Sequence, residues 1–316
     1  MSNQFPYSND NKRYYTLNYY LRHKFDSKVF KVSLNAGFTC PNRDGTKGYG
    51  GCIYCSNSGS GEYAGNPKED LITQFYKVKA KLLNKWPNSK YIGYFQANSN
   101  TYAGLNVLKE KYETILKLDN VVGLSIATRP DAINEETLDY LEELNTRTFL
   151  IIELGLQTIH SKTAKLINRG YELECFTEMV NKLRERNIKV VVHIINGLPY
   201  ETKEDMLKTA KYLSKLDIQG IKIHMPYILK DTPLYNLYKK EPFKVLTKDE
   251  YINIVCDQLE YLRNDIVVHR ITGDPKKDDL IEPTWLIKKF VVLNDIDKEL
   301  KKRNSYQGIK IKGSLV

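Results

Sequence analysis

The sequence is poor in cysteine and contains no long apolar run, and each scarcity excludes a class of protein. The 316 residues include five cysteines and two tryptophans. No apolar run approaches the roughly 20 residues of a membrane-spanning helix, and the amino-terminal MSNQFPYSND lacks a signal-peptide pattern. We therefore predict a cytoplasmic protein without a membrane partner, whose cysteines serve metal binding or catalysis rather than disulfides.

The chain also has fewer acidic than basic residues, 38 against 48, which gives a net charge of +10. Such an excess favours a polyanionic partner such as RNA. Codon bias explains it equally well, because Lys, Asn, Ile and Tyr share A/T-rich codons and are all abundant in this chain. Composition alone leaves both interpretations open.

Strand-like and helical runs alternate from about residue 30. The strand-like runs, in chain order, are VFKVSLNAG, YIGYFQANS, VVGLSIATR, FLIIELGLQ, KVVVHIING and GIKIHMPYI, with a further run, DIVVHRITG, after a long helix. Capping boxes at Thr202–Asp205 and Thr247–Glu250 mark two helix starts. The repeat predicts an α/β fold, an incomplete parallel (βα)6 barrel, because a complete eight-unit barrel usually needs about 250 residues.

The barrel is flanked by two shorter segments. We predict an amino-terminal basic and tyrosine-rich extension over residues 1–28, the barrel over 29–275, and a basic helix with a tail over 276–316. The fold therefore carries helical extensions at both ends.

Polar residues recur at alternate positions near the carboxyl ends of five predicted strands. They are Tyr94, Gln96 and Asn98, then Ser125 and Arg129, then Glu153 and Gln157, then His193, then Lys222 and His224. A parallel barrel gathers these strand ends at one mouth, where active sites form. A single residue of this kind is more often a structural group, but five strands together predict a site.

Three of the five cysteines lie in one glycine-rich loop, TCPNRDGTKGYGGCIYCSNSGSG, at Cys40, Cys52 and Cys55. A structural zinc wants four ligands, and a redox C-x-x-C pair leaves Cys40 without a function. Iron–sulfur clusters usually take four thiolates for four irons, so three thiolates leave one iron open. Cys175 and Cys256 stand alone in helical runs and are expected to be small buried apolar residues.

The loop resembles the cluster-binding loop of the radical S-adenosylmethionine (radical SAM) superfamily, whose common spacing is C-x3-C-x-aromatic-C. The segment Cys52–Cys55 reproduces the second half, whereas eleven residues separate Cys40 from Cys52. Longer gaps occur in the branch related to the Elongator catalytic subunit, and CPNRDGTKGYGGCIYCSNSGSGEYAG is similar to the YhcC/YtqA-like branch. The resemblance extends over roughly residues 25–275.

The resemblance implies a [4Fe-4S] cluster on Cys40, Cys52 and Cys55, whose open iron binds S-adenosylmethionine. One electron from a reductant such as flavodoxin or ferredoxin then cleaves the cofactor to methionine and a 5'-deoxyadenosyl radical. The radical abstracts a hydrogen atom from the substrate. The protein orients the reactants and excludes competing reactions.

The resemblance also assigns residues to S-adenosylmethionine. The cofactor residues it implies are Tyr54 near the adenine, Asn98 at the methionine amino group, Glu153 and Gln157 at the ribose and methionine part, Arg169 at a carboxylate, and Gly197 at the adenine. Three of them also have a structural alternative. For Glu153 it is pairing with a basic core residue, for Arg169 a position at the surface, and for Gly197 a simple turn.

Arg129, His193 and His224 are candidates for contact with the substrate, with structural ion pairing as the alternative for Arg129. Members of the Elongator-like branch act on wobble uridine in tRNA, so the resemblance suggests tRNA modification as a hypothesis. The basic residues interleaved with tyrosines in NKRYYTLNYYLRHKF fit RNA, although amphipathic helices that cover the barrel ends explain them as well.

Two other functions remain open from the sequence. One is a non-catalytic, metal-stabilised RNA-binding protein, in which the metal only organises the loop. The other is a thiol-redox barrel enzyme that uses Cys52 and Cys55 and needs no iron. The radical enzyme and the RNA-binding protein differ in whether the metal has an open site, whereas the thiol-redox enzyme would be active without iron.

Overall fold

The computed structural model describes residues 5, 12–56, 58, 59, 61, 63–83 and 86–311. The remaining parts of the predicted terminal extensions, at 1–4, 6–11 and 312–316, lie outside the described residues. Helices are α1 (Leu17–Phe25), α2 (Leu71–Leu83), α3 (Leu105–Leu116), α4 (Glu135–Arg147), α5 (Ser161–Leu166), α6 (Leu173–Glu185), α7 (Lys203–Leu213), α8 (Pro233–Lys240), α9 (Lys248–Tyr261) and α10 (Lys289–Lys302). Strands are β1 (Val29–Leu34), β2 (Lys90–Phe95), β3 (Val121–Thr128), β4 (Phe149–Gln157), β5 (Lys189–Ile195), β6 (Gly220–His224), β7 (Ile228–Leu229), β8 (Val267–Arg270) and β9 (Leu280–Glu282).

Seven parallel strands form one sheet in the order β1-β2-β3-β4-β5-β6-β8. The order follows the chain, as a βα repeat dictates, and it confirms the predicted incomplete parallel barrel. The seventh strand comes from the run DIVVHRITG. A separate antiparallel pair joins β7 to β9. Helices α7 and α9 begin with the capping boxes predicted at Thr202–Asp205 and Thr247–Glu250.

The chain packs into two compact units. The cysteine unit comprises Leu21–Gly155 and Gly170–Val191. Its core consists of apolar and aromatic side chains without exposed surface, among them Leu34, Phe95 and Tyr112. Parallel pairing of β1 with β2, β2 with β3 and β3 with β4 holds its part of the sheet.

The carboxyl-terminal unit comprises Met1–Tyr20, Leu156–Arg169 and Val192–Val316. Its amino-terminal segment runs parallel to β8, where Thr16 bridges Val268. The buried side chain of Gln307 accepts from the amide of Tyr15 at 2.9 Å. Parts of both predicted terminal extensions therefore pack together inside this unit. The boundaries predicted at residues 28 and 275 remain a prediction.

No helix in the described part of the chain is both long enough and apolar enough to cross a bilayer.

Candidate functional site

The three clustered cysteines lie in the long loop between β1 and α2. The amide of Gly51 donates to the carbonyl of Asn42 at 2.8 Å, so the second half of the loop folds back on the first. A tight turn follows, in which the amide of Cys55 donates to the carbonyl of Cys52 at 3.0 Å. Cys40, Cys52 and Cys55 are each half-buried. The three cysteines thus share one folded, partly exposed loop.

Cys52 has an environment that favours its thiolate. A hydrogen bond with Cys55 is the largest cause that lowers the pKa of Cys52 to about 6. The Tyr54 hydroxyl, the Arg129 charge and the Asn42 amide act in the same direction, against the effect of burial. Nδ2 of Asn42 lies 3.8 Å from Sγ of Cys52. These contacts therefore favour the thiolate of Cys52, which is the form that binds metals.

Two of the three thiols are in direct contact. Cys52 and Cys55 are hydrogen-bonded to each other. Arg129 lies close enough to both Cys40 and Cys52 for its charge to interact with theirs. Within the described residues, no three His, Cys, Asp or Glu side chains converge as a metal-binding group.

Tyr54 packs against the same two cysteines. Burial is the largest cause that raises its pKa well above the ordinary value, and the neighbouring Cys52 and Cys55 raise it further. The hydroxyl therefore stays protonated and donates to Cys52. Its predicted contact with an adenine ring stays a prediction.

Arg129 follows β3 and is 8% exposed. Its Nε and Nη2 donate to the two carboxylate oxygens of Asp131, each at 2.9 Å. Its guanidinium carbon lies 4.8 Å from the centre of the Tyr171 ring. The structural ion pair that the sequence left as an alternative is thus present. Arg129 still places positive charge beside the cysteine loop.

Glu153 lies in a buried polar cluster on the first four strands, which we call the Lys31 cluster (Lys31, Tyr94, Ser125 and Glu153). Oε1 of Glu153 accepts from Nζ of Lys31 at 2.5 Å and from Oγ of Ser125 at 2.6 Å. Nζ of Lys31 lies 5.0 Å from the centre of the Tyr94 ring. Glu153 is 1% exposed. The alternative in which Glu153 pairs with a basic core residue is therefore confirmed.

Sequence reasoning aligned three members of the Lys31 cluster but missed Lys31 itself. Tyr94, Ser125 and Glu153 do come together, as the alternation of the strands predicted. The available signal for Lys31 was a single lysine between Phe30 and Val32 in the apolar strand β1. A buried lysine needs a carboxylate partner, so that position pointed to a buried ion pair.

Asn98 lies beside the cysteine loop. Its Nδ2 donates to the carbonyl of Phe38 at 2.9 Å, and its amide donates to the carbonyl of Gly59 at 3.1 Å. Its buried Oδ1 has no hydrogen-bond partner within the described part of the chain. An acceptor is thus left available on the side of the cysteine loop that contains Phe38 and Gly59.

Strand alternation was the wrong guide at two predicted site residues. Asn98 and Gln157 have φ values of 59° and 66°. A left-handed backbone turns the side chain away from the direction that an extended strand gives it. Asn98 follows the end of β2 and Gln157 is the last residue of β4, so the predicted shared faces do not continue to them.

The other predicted cofactor residues lie in the carboxyl-terminal unit. Oε1 of Gln157 is buried without a hydrogen-bond partner among the described residues. Arg169 is 1% exposed, so the alternative of a surface position is wrong. Its Nη1 donates to the carbonyls of Leu156 and Thr158 at 2.8 and 2.7 Å. Arg169 therefore organises the backbone on either side of Gln157.

The last predicted residues lie in the same unit: His193 is part of β5, Gly197 follows β5, and His224 is the last residue of β6. The backbone at Gly197 has the left-handed φ of 82°, and a Cβ there would lie 3.0 Å from Cδ1 of Leu246. The turn that the sequence offered as the alternative is therefore present at Gly197. The rings of His193 and His224 are 5.4 Å apart between centroids.

The terminal basic residues proposed for RNA are partly used within the fold. Lys12 pairs with Asp297, and Nη1 of Arg13 donates to the carbonyl of Ser305 at 3.1 Å. Tyr14 is buried. These contacts favour the alternative in which the terminal segments cover the fold. Arg22 and Lys24 remain exposed in the cysteine unit.

Comparisons with known proteins agree with this architecture. The family model of the Radical SAM superfamily matches residues 38–213, and that of the Radical_SAM C-terminal domain matches 218–302. The chain is similar to the uncharacterized protein YtqA of Bacillus subtilis, with 54% identity over 97% of this chain and 95% of that protein. It is 28% identical to the tRNA uridine(34) acetyltransferase of Methanocaldococcus infernus, over 48% of this chain and 29% of that protein.

Among solved structures, the chain resembles Methanocaldococcus infernus Elp3 with an amino-terminal deletion of 1–46. The TM-score is 0.65 at 18% sequence identity, and the match covers 89% of this chain and 64% of that one. This likeness shows a common fold. Together with the superfamily match and the identity to YtqA, it establishes that the chain belongs to the radical SAM superfamily and is a radical SAM enzyme, whose family cofactors are a [4Fe-4S] cluster and S-adenosylmethionine.

Proposed function

We propose that Cys40, Cys52 and Cys55 hold the [4Fe-4S] cluster and leave one iron open to S-adenosylmethionine. The observation that carries this assignment is the loop, which brings an ionisable Cys52 next to Cys55. The buried guanidinium of Arg129 interacts with the charges of both Cys52 and Cys40. Thiolates are the ligands that iron–sulfur clusters take, so the donor set fits. When bound, the two cofactors supply a 5'-deoxyadenosyl radical that abstracts hydrogen.

Three further residues would hold S-adenosylmethionine through buried acceptors. The unpartnered Oδ1 of Asn98 suits an ammonium group, and the unpartnered Oε1 of Gln157 suits a hydroxyl or ammonium donor. Glu153 offers a carboxylate already fixed by Lys31 and Ser125. Buried acceptors without partners are costly, which supports a ligand as their partner. Tyr54 and Gly197 stay assigned to the adenine.

We assign Arg169 a second function beyond the carboxylate contact that the resemblance implied. Its Nη1 is occupied by two backbone carbonyls, so we assign it to the orientation of Gln157 in addition to any carboxylate contact. Arg129, His193 and His224 are assigned to the substrate. The two histidines are close enough to share one anionic or hydroxyl group between them.

For the substrate we propose a tRNA nucleoside, with flavodoxin or ferredoxin as the reductant. The net charge of +10 suits a polyanion. One relative is named as acting on tRNA uridine 34, although this chain spans 29% of that protein. The exposed Arg22 and Lys24 add positive charge to the cysteine unit.

The cluster assignment is tested by iron and sulfide content after anaerobic reconstitution. Serine variants of Cys40, Cys52 and Cys55 are expected to lose most of the iron, because each removes a ligand. Cys175→Ser and Cys256→Ser are matched controls in helices α6 and α9, and they should bind as much iron and sulfide as the wild type does. Equal loading in all five variants would refute the assignment.

The tRNA assignment is tested by nucleoside mass spectrometry. Total tRNA is incubated with the reconstituted enzyme, S-adenosylmethionine and a reductant, and Cys52→Ser is the control. A new nucleoside mass that requires all components supports the proposal. Tight tRNA binding without any new mass would instead favour the metal-stabilised RNA-binding protein.

A further inference from the structure

Asn42 is a buried amide to which none of the assignments above gives a function. It lies two residues after Cys40 in the loop and is 1% exposed. Its Nδ2 is the donor 3.8 Å from Sγ of Cys52. A buried polar side chain aimed at a cysteine sulfur is a feature of the ligand environment rather than of ordinary loop packing.

Two glycines leave room for the carbonyl end of this amide. A Cβ at Gly48 or Gly170 would lie 2.5 or 2.7 Å from Oδ1 of Asn42. Gly170 also has a φ of 80°, which favours glycine. The backbone carbonyl of Asn42 accepts from Gly51. The loop therefore holds the backbone of Asn42, and with the carbonyl end beside the two glycines the donor end of the side chain lies toward Cys52.

We infer that Asn42 is a positioning residue that raises the reduction potential of the cluster through an N–H···S hydrogen bond to Cys52. The inference rests on the proposed function, because Cys52 must be a cluster ligand. A donor to a ligand sulfur stabilises the more electron-rich, reduced cluster more than the oxidised one. Outer partners of this kind orient and tune metal ligands.

The test is the midpoint potential of the reconstituted cluster in Asn42→Leu, measured by a redox titration that is followed by EPR. Leucine is close in size to asparagine but has no donor. We expect wild-type iron content and a roughly tenfold smaller equilibrium constant for one-electron reduction, which is a fall of about 59 mV. Asn35→Ala is the matched control, because Oδ1 of Asn35 accepts from the amide of Gly37 at 3.1 Å on the same loop. An unchanged or higher potential in Asn42→Leu overturns the inference.

A second measurement needs no variant. Wild-type protein labelled with 15N in asparagine side-chain amides is reduced and studied by pulsed EPR, where a weak coupling to an amide nitrogen is expected. If the cluster is loaded and this coupling is absent, the inference about Asn42 is wrong while the proposed function stands. This test works even if Asn42→Leu does not hold a cluster. Wild-type protein that holds no [4Fe-4S] cluster refutes both the proposed function and this inference.

Discussion

Lys31 and Glu153 show at the residue scale how buried charges are held in this fold. Their ion pair is almost fully buried, with side chains 13% and 0% exposed. Ser125 supplies a further hydrogen bond to the same carboxylate oxygen. If Glu153 binds S-adenosylmethionine as proposed, the pair fixes the position of the carboxylate before binding, which lowers the entropic cost.

Removal of one partner of this pair should be costly. Lys31→Met leaves a buried carboxylate uncompensated, so we expect the free energy of unfolding to fall by about 3–5 kcal/mol. Urea denaturation measures this change. The control is Lys182→Met, which breaks an ion pair with Glu135 whose side chains are 45% and 63% exposed, and it should cost less than about 1 kcal/mol. Equal costs in the two variants would contradict the burial of the Lys31–Glu153 pair as the source of the expected loss.

The sequence revealed part of this residue-scale picture. Alternation placed Tyr94, Ser125 and Glu153 together correctly, because each lies within a regular strand. It failed at Asn98 and Gln157, because their positive φ values take them out of the extended conformation that alternation assumes. The orientation of Asn42 depends on Gly48 and Gly170, which are far apart in sequence, so no local pattern predicts it.

At the element scale, the turn that follows β4 and α5 supports the cysteine loop. Gly170→Ala adds a Cβ 2.7 Å from Oδ1 of Asn42 at a φ of 80°. We expect a loss of about 1–2 kcal/mol from the left-handed backbone alone, with more from the collision. The midpoint potential of the reconstituted cluster should fall as well, because the collision moves Asn42 and weakens its hydrogen bond to Cys52.

A matched glycine separates the two effects. Gly37 has a φ of 77°, and a Cβ at this residue would have no atom within 4 Å, so Gly37→Ala carries the backbone cost without the collision. Thermal unfolding and redox titration of both variants measure the difference. Indistinguishable midpoint potentials in Gly37→Ala and Gly170→Ala would argue against a supporting contact through Asn42.

Helix α10 gives a prediction about pH. Nζ of Lys248 donates to Asp295 at 2.6 Å and lowers the pKa of that carboxyl, and Nε of Arg303 donates to Glu299 at 2.8 Å and lowers its pKa. A carboxyl whose pKa is lower in the folded state stabilises the fold above the unfolded pKa. That contribution is lost as the pH falls through the lowered folded value.

The free energy of unfolding should therefore decrease as the pH falls below about 4–4.5, the ordinary carboxyl pKa range. The double variant Asp295→Asn/Glu299→Gln should show a shallower decrease over this interval. Urea denaturation between about pH 3 and 7 measures both. Parallel curves for the two proteins would show that these carboxyls contribute no pH dependence.

Element boundaries were predictable where the sequence was locally consistent. Strand β4 coincides with the run FLIIELGLQ, and both capping boxes form as expected. The run GIKIHMPYI instead divides into β6 and the short β7. Pro226 lies between them and has no amide hydrogen to donate to a ladder, which explains the break.

At the scale of the whole molecule, the βα rhythm was sufficient to predict the incomplete barrel, because parallel strands need a helix between each pair. The cysteine spacing and the surrounding phrase were sufficient to predict the superfamily. The packing of the terminal segments was not predictable in the same way. It depends on contacts such as Lys12 with Asp297, whose partners are far apart in the chain.

Reductive cleavage of S-adenosylmethionine at the cysteine loop is the step on which the proposed function depends. The most direct test is anaerobic: reconstituted enzyme is mixed with S-adenosylmethionine and dithionite, and 5'-deoxyadenosine is quantified by mass spectrometry. We expect product from the wild type and from Cys256→Ala, and none from Cys52→Ala. A fully loaded wild-type cluster that forms no 5'-deoxyadenosine would contradict the proposed function.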